Sequence, residues 1–278
     1  MRGAKHGVRI AAIWIVVTVI VEILIGIIPI PSPVASTQAQ GEHQTLYMLF
    51  YVAAPIFTFV LVLFAYELVV FRRRRGEPAD VPHRPDSNPI LLLWAALSFI
   101  LVLFLAGWGT FTLHEITTAN GPRPLHIQVI GQQWFWTFRY PSYGGMETRD
   151  LYAPVNTPIQ FDVTSLDVVH SFWIYDYDIK EDAVPGVHNV AYFEATKLGN
   201  STPSGHDWVV CNELCGLWHG HMRTQLHVIT KTSFASWANT QEAFEKKIGL
   251  LKDLPPYSLV YYPTSNANWP SVPQDQSP

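Results

Sequence analysis

Apolar residues follow two different rhythms along this chain. Over the first 114 positions they form long blocks. Residues 10–30 are interrupted only by Thr18 and Glu22, residues 46–71 carry one charge at Glu67, and residues 90–113 carry none. A bilayer core of about 30 Å needs about 20 apolar residues as helix. These runs are apolar on every face and too long for buried core helices, so they predict membrane spans. From His114 onward the blocks give way to short alternations. Residues 125–130, 159–163, 190–193 and 225–229 read as strands, separated by turn clusters at 140–145, 154–158 and 199–205. Many short strands over about 115 residues predict a small β-sandwich. Residues 233–247 have the pattern of an amphipathic helix, and the Pro-, Ser- and Asn-rich stretch after Pro255 and Pro256 reads as an extended tail.

Composition sharpens this picture. Of 278 residues, 49% are hydrophobic and 14% charged, against about 25% charge in a typical soluble domain. That excludes a disordered chain and argues against a purely soluble enzyme. The 21 prolines and 10 tryptophans argue against an all-helical membrane bundle. A formal charge of −4 does not suggest a nucleic-acid surface. The charge is uneven: residues 1–114 hold 8 basic and 6 acidic side chains, residues 115–231 hold 7 and 12, and residues 232–278 hold 3 and 4. Basic residues mark cytoplasmic ends. Arg2, Lys5 and Arg9 precede the first block; Arg72, Arg73, Arg74, Arg75 and Arg84 follow the second. The third helix then runs outward and everything beyond residue 114 is exported.

The first block has two readings. Its basic start, apolar run and small residues at Val34, Ser36, Thr37 and Ala39 fit a secretory signal. Its length fits a retained helix equally well, in which case Glu22 near mid-bilayer needs a partner or a packed interface. The expected organisation is residues 1–44 as signal peptide or first transmembrane helix with a linker, 45–114 as a transmembrane hairpin with a basic cytoplasmic loop, 115–231 as the exported domain, and 232–278 as amphipathic helix and Pro-rich tail. The fold class is thus membrane α plus all-β, with two or three N-terminal helices.

The chemistry concentrates between Cys211 and Met222. Both cysteines of the chain, Cys211 and Cys215, fall here with His219 and Met222, and Glu213 lies between the thiols. Soft sulfur with imidazole suits copper. A disulfide between the cysteines in an oxidising compartment is an alternative, although it leaves His219 and Met222 unexplained. Zinc is another, although structural zinc motifs rarely use methionine. The Cys-x-x-Cys-His of a covalent haem is absent. His221 between these residues reads as exposed or supporting. His126, His188, His206 and His227 read as ordinary strand or loop histidines, Trp136, Phe138 and Tyr140 as core or interface aromatics, and Asp162, Asp176, Asp178 and Glu181 as solvated charges.

The pattern Cys-x-Glu-x-Cys-x3-His-x2-Met resembles the binuclear copper A motif of cytochrome c oxidase subunit II. Residues 167–173, with His170, resemble the family strand that supplies the other histidine. Residues 131–140, with Trp134, resemble its aromatic segment, and residues 180–186 match a fourth stretch. The resemblance covers roughly residues 45–230. It implies a cupredoxin-like β-barrel or sandwich in which Cys211 and Cys215 bridge two copper ions. His170, His219, Met222 and the backbone carbonyl of Glu213 would complete the coordination. The Glu213 carboxylate would reach a magnesium or manganese site at the interface with subunit I. Trp134 would be the port for electrons from cytochrome c. The implied setting is a bacterial plasma membrane, with lipid, subunit I and other oxidase subunits as partners.

Some positions depart from the family. Gln132 stands where the aromatic segment usually has histidine, Arg223 where proline often follows the methionine, and Leu91 where a glutamate pairs with a tryptophan, here Trp94, at a proton-channel mouth. The last puts that proton role in doubt. Among related functions, a quinol oxidase subunit lacks the copper ligands, a copper chaperone does not need several membrane helices, and nitrous oxide reductase adds a propeller domain. A copper A subunit of a nitric oxide reductase would carry the same ligands and is the alternative.

Overall fold

The structure is a computed structural model that describes residues 2–28, 34–72, 88–118, 123–199 and 207–250. The arginines Arg73, Arg74, Arg75 and Arg84, most of the turn at 199–205, His206 and the Pro-rich tail lie outside the described residues. The chain divides into two compact units, one of residues 1–31 and 43–113, the other of residues 32–42 and 114–278.

The first unit contains most of the three apolar helices. They are α1 (Arg2–Ile27), α2 (Thr37–Val70) and α3 (Asn88–Ile116), each long and apolar enough to cross a membrane. Glu22 of α1 is half-buried. The middle helix starts nine residues before the apolar run that predicts it. The cause is a cap: the Ser36 hydroxyl accepts from the Ala39 backbone N–H at 2.9 Å, satisfying one of the donors that a helix start leaves open. The first turns of α2 are polar, so hydrophobicity alone does not reveal them.

The second unit is a sandwich of two five-stranded sheets. One orders β3 (Met146–Thr148), β2 (Phe135–Tyr140), β1 (Leu125–Gln132), β5 (Ile159–Ser165) and β8 (Asn189–Phe193). The other orders β4 (Leu151–Pro154), β10 (Arg223–Ile229), β9 (Trp208–Cys211), β6 (His170–Ile174) and β7 (Ile179–Ala183). Pairing is antiparallel except β1 with β5 and β10 with β4. Alternation on each strand sends one face inward. On β2 that face is Trp136, Phe138 and Tyr140, at most 1% exposed. They meet Phe161, Phe172 and Phe193 from β5, β6 and β8, all buried. Burying each such side chain is worth roughly 1.5–3 kcal/mol.

The expectation of solvated acids fails at Asp162 and Asp176, which are 6% and 0% exposed. Asp162 lies on β5 beside His126, with Oδ2 3.6 Å from Nδ1, and Asp176 is held in the tight 3-10 turn Tyr175–Tyr177.

Helix α4 (Lys231–Lys247) closes the second unit. Thr230 caps it by accepting from the Ser233 N–H. Its buried stripe of Phe234, Ala238 and Glu245 follows helical spacing. Trp237 stacks on Tyr152 with ring centroids 4.0 Å apart. The buried Glu245 carboxylate accepts from the Glu147 N–H and the Gln241 amide.

Candidate metal centre

Sheet geometry brings the sulfur and imidazole groups together. In the second sheet β10, β9 and β6 are neighbours. His170 opens β6, Cys211 ends β9 and Met222 immediately precedes β10. Because these strands are antiparallel, the three residues share one end of the sheet. Cys211 donates its backbone N–H to the Met222 carbonyl at 3.0 Å, and Asn212 donates to Ser171 at 2.9 Å, which fixes that end. The remaining donors come from the loop between β9 and β10.

The donor atoms sit at ligand spacing. Sγ of Cys211 is 3.7 Å from Sγ of Cys215 and 3.7 Å from Nδ1 of His170. Sγ of Cys215 is 3.5 Å from Nδ1 of His219 and 3.8 Å from Sδ of Met222. The Glu213 carbonyl oxygen is 3.3 Å from Sγ of Cys211, while the residue itself is exposed. Ligands held on one ion at about 2.0–2.3 Å stand roughly 3.5 Å apart at tetrahedral angles, so this spacing fits shared metal ions. The cysteines are free thiols rather than a disulfide. His170, Cys211 and Cys215 are buried, with ligand atoms within 4.8 Å of one another, and Met222 is 1% exposed.

The thiols differ electrostatically. Burial raises Cys211, but the facing His170 and neighbouring backbone groups outweigh it and bring the thiol down to about 6. Burial and the adjacent Cys211 push Cys215 up to about 12. Two thiolates this close repel each other, and divalent or monovalent metal would supply the compensating charge.

Supporting residues lie in two further loops. Asp167 Oδ1 is 2.9 Å from Nε2 of His170, turning Nδ1 toward Cys211. A carboxylate on the far nitrogen of a ligating histidine fixes its tautomer and orientation. The other oxygen of Asp167 accepts the Gln133 backbone N–H at 2.7 Å. Gln133 and Trp134 form the two-residue turn between β1 and β2, and both donate side-chain N–H groups to the Cys215 carbonyl, at 2.8 and 3.2 Å. Gly216 makes that approach possible. Its φ is +115°, and a Cβ would lie 3.0 Å from the Gln133 amide nitrogen and 3.3 Å from the Trp134 ring. Gly131 does the same for His170, whose Cδ2 would be 2.9 Å from a Cβ.

All six residues singled out as ligands from the sequence, His170, Cys211, Glu213, Cys215, His219 and Met222, converge here, and Trp134 touches them through Cys215. Asp167 and Gln133 were within quoted motifs, but their roles depend on loop packing. His221 is exposed, edge-on to Trp218 with centroids 5.2 Å apart. His227 stacks on Tyr152 away from this cluster.

Comparison with known proteins agrees with this arrangement. The family described as cytochrome c oxidase subunit II, periplasmic domain, matches residues 146–229. Cytochrome c oxidase subunit 2 of Thermostichus vulcanus is 28% identical over 261 residues, covering 75% of this chain and 77% of that protein. The same subunit of Synechocystis sp. is 25% identical, covering 76% and 75%. The crystal structure of the periplasmic domain of cytochrome oxidase subunit II from Bradyrhizobium japonicum is 30% identical, covering 46% of this chain and 98% of that one, with a TM-score of 0.41. All six candidate ligands lie within the matched stretch, and over about three quarters of its length the chain is similar to cytochrome c oxidase subunit II.

Proposed function

We propose that this chain is the electron-accepting subunit of a terminal respiratory oxidase in a bacterial plasma membrane. In this reading its exported domain takes electrons from cytochrome c and hands them to the haem of subunit I, where oxygen is reduced. The observation that carries the reading is the pair of thiols 3.7 Å apart with one histidine facing each, at 3.7 and 3.5 Å. That symmetry suits two metal ions sharing two sulfurs better than one ion.

Cys211 and Cys215 would hold the metal as thiolates, together with His170, His219, Met222 Sδ and the Glu213 carbonyl. Copper held by these residues would supply one-electron chemistry. The protein's part is to hold those ligands rigidly and dry. Cys215 is 3% exposed, His170 0% and Met222 1%, so few waters need reorient when charge arrives. Asp167 holds the His170 ring, and the Gln133 and Trp134 N–H groups hold the Cys215 carbonyl. The half-buried Trp134 indole thereby links the surface to a bridging ligand through one hydrogen bond, which suits an electron port. The exposed Glu213 side chain is free to face a magnesium or manganese ion shared with subunit I.

Stopped-flow mixing of the copper-loaded chain with reduced cytochrome c tests this. The expected result is rapid oxidation of the cytochrome, at a rate that falls on Trp134→Ala while copper content and fold are kept. A folded, loaded Trp134→Ala chain with the wild-type rate removes Trp134 as the port. No oxidation by the wild-type chain contradicts the function.

A further inference from the structure

Three side-chain hydrogen bonds join α1 to the apolar part of α2. His6 Nδ1 lies 2.7 Å from the Tyr66 hydroxyl. Trp14 donates its indole N–H to the Pro55 carbonyl at 2.8 Å. The Thr18 and Thr58 hydroxyls are 2.7 Å apart and buried. Positions 6, 14 and 18 are eight and four apart, so at about 100° per residue they fall within roughly 120° of one helix face. His6 meets Tyr66 while Thr18 meets Thr58, nearer the start of α2, so the two helices run antiparallel. Near the far end of α1 the helices approach closely, since a Cβ on Gly26 would lie 3.0 Å from the Tyr51 hydroxyl.

Two of the three contacts lie where α2 is weakest. Pro55 has no N–H and interrupts the hydrogen-bond ladder of a helix that must satisfy its own backbone in lipid. Such breaks persist in membranes where a neighbouring helix and Ser or Thr side chains supply polar partners. The carbonyl that loses its helical donor is that of Tyr51; one turn on, Trp14 donates to the Pro55 carbonyl and Thr58 bonds to the Ala54 carbonyl while meeting Thr18, so polar partners cluster beside the break. A signal segment needs only a basic start and an apolar run before it is discarded. It gains nothing from three polar groups aimed at the next helix.

A second observation concerns the small residues that resemble a cleavage site. Ala35, Ser36 and Ala39 are fully buried in the unit that contains the sandwich. Ser36 donates its hydroxyl to the Tyr177 carbonyl at 2.6 Å and caps α2. Thr196 donates both its N–H and its hydroxyl to the Ala35 carbonyl, and Thr37 donates to Glu194. Their size is accounted for by packing, and cleavage after Ala39 would strip this strap from the domain.

We propose that α1 stays in the mature chain as a third membrane helix docked on α2 through His6, Trp14 and Thr18, and that residues 34–39 are a permanent strap of the exported domain. The inference concerns chain processing and helix packing and is independent of copper. Its test is the intact mass of this subunit in oxidase purified from native membranes, combined with a Thr18→Cys, Thr58→Cys variant of the same complex under mild oxidation. The expected results are a mature chain that still contains residues 2–27 and a disulfide between the two introduced cysteines, found by peptide mapping. A mature chain beginning beyond residue 27 overturns retention. A retained helix that forms no such disulfide overturns the docking. Neither readout uses the metal, so failure of the copper reading leaves both outcomes interpretable.

Discussion

Single residues set the candidate metal site, and their substitutions separate ligand from support. Cys215→Ser removes one thiolate while keeping nearly the same shape. It should abolish the shared-charge centre, and metal analysis of the folded variant should show less than the wild-type copper content. Asp167→Asn keeps a hydrogen-bonding side chain at His170 but removes its charge. Partners of this kind typically contribute about 10–100-fold in metal affinity, so a chelator competition should show a loss in that range, and an unchanged affinity would make Asp167 a purely structural turn residue. Gly216→Ala places a side chain at φ +115° against Gln133 and Trp134. Strain of this kind costs about 1–3 kcal/mol, visible as a lowered unfolding midpoint of the exported domain. The candidate ligands were legible in sequence because five of the six fall within twelve positions at offsets that no disulfide or structural zinc motif explains. Asp167 and Gln133 were not legible as partners. Their pairing depends on the β1–β2 turn and the β5–β6 loop meeting at one end of the sandwich, and no local pattern encodes that meeting.

Elements differ in how much of themselves they write into the sequence. The apolar spans are plain because lipid demands composition over some 20 residues. The start of α2 is not, because it is set by a Ser36 cap whose other bond reaches Tyr177, 141 positions away. Strands β1, β5, β8 and β10 show their alternation. Strand β7 reads Ile-Lys-Glu-Asp-Ala and is held by pairing with β6 rather than by any pattern of its own. Helix α4 shows an amphipathic stripe, and its packing makes a test. Phe234 is 4% exposed, edge-on to Tyr143 and packed with Tyr140 and Trp237. Large-to-small changes at such sites cost about 3–5 kcal/mol. Phe234→Ala should therefore lower the denaturation midpoint of the domain strongly while sparing the copper ligands, which none of its ring contacts includes. A midpoint unchanged by the substitution would mean α4 is a dispensable appendage.

At the scale of the whole molecule, the chain joins three apolar helices to an acidic sandwich domain. Residues 115–231 carry 12 acidic against 7 basic side chains, so a basic cytochrome c should be steered toward them. Salt shortens that reach, with a Debye length of about 10 Å at 0.1 M. The second-order rate of electron uptake should fall as ionic strength rises, and a rate indifferent to salt would point to an uncharged docking face. Three side chains, two thiolates and a backbone carbonyl at one end of the sandwich would hold two coppers as a single electronic unit. Electron paramagnetic resonance of the full-length chain, purified in detergent and loaded with copper, tests it most directly when read beside a metal count. Two coppers per chain are expected, with an unpaired electron whose hyperfine pattern is shared by two equivalent copper nuclei. One copper per chain with the pattern of a single nucleus, or zinc in its place, would contradict it.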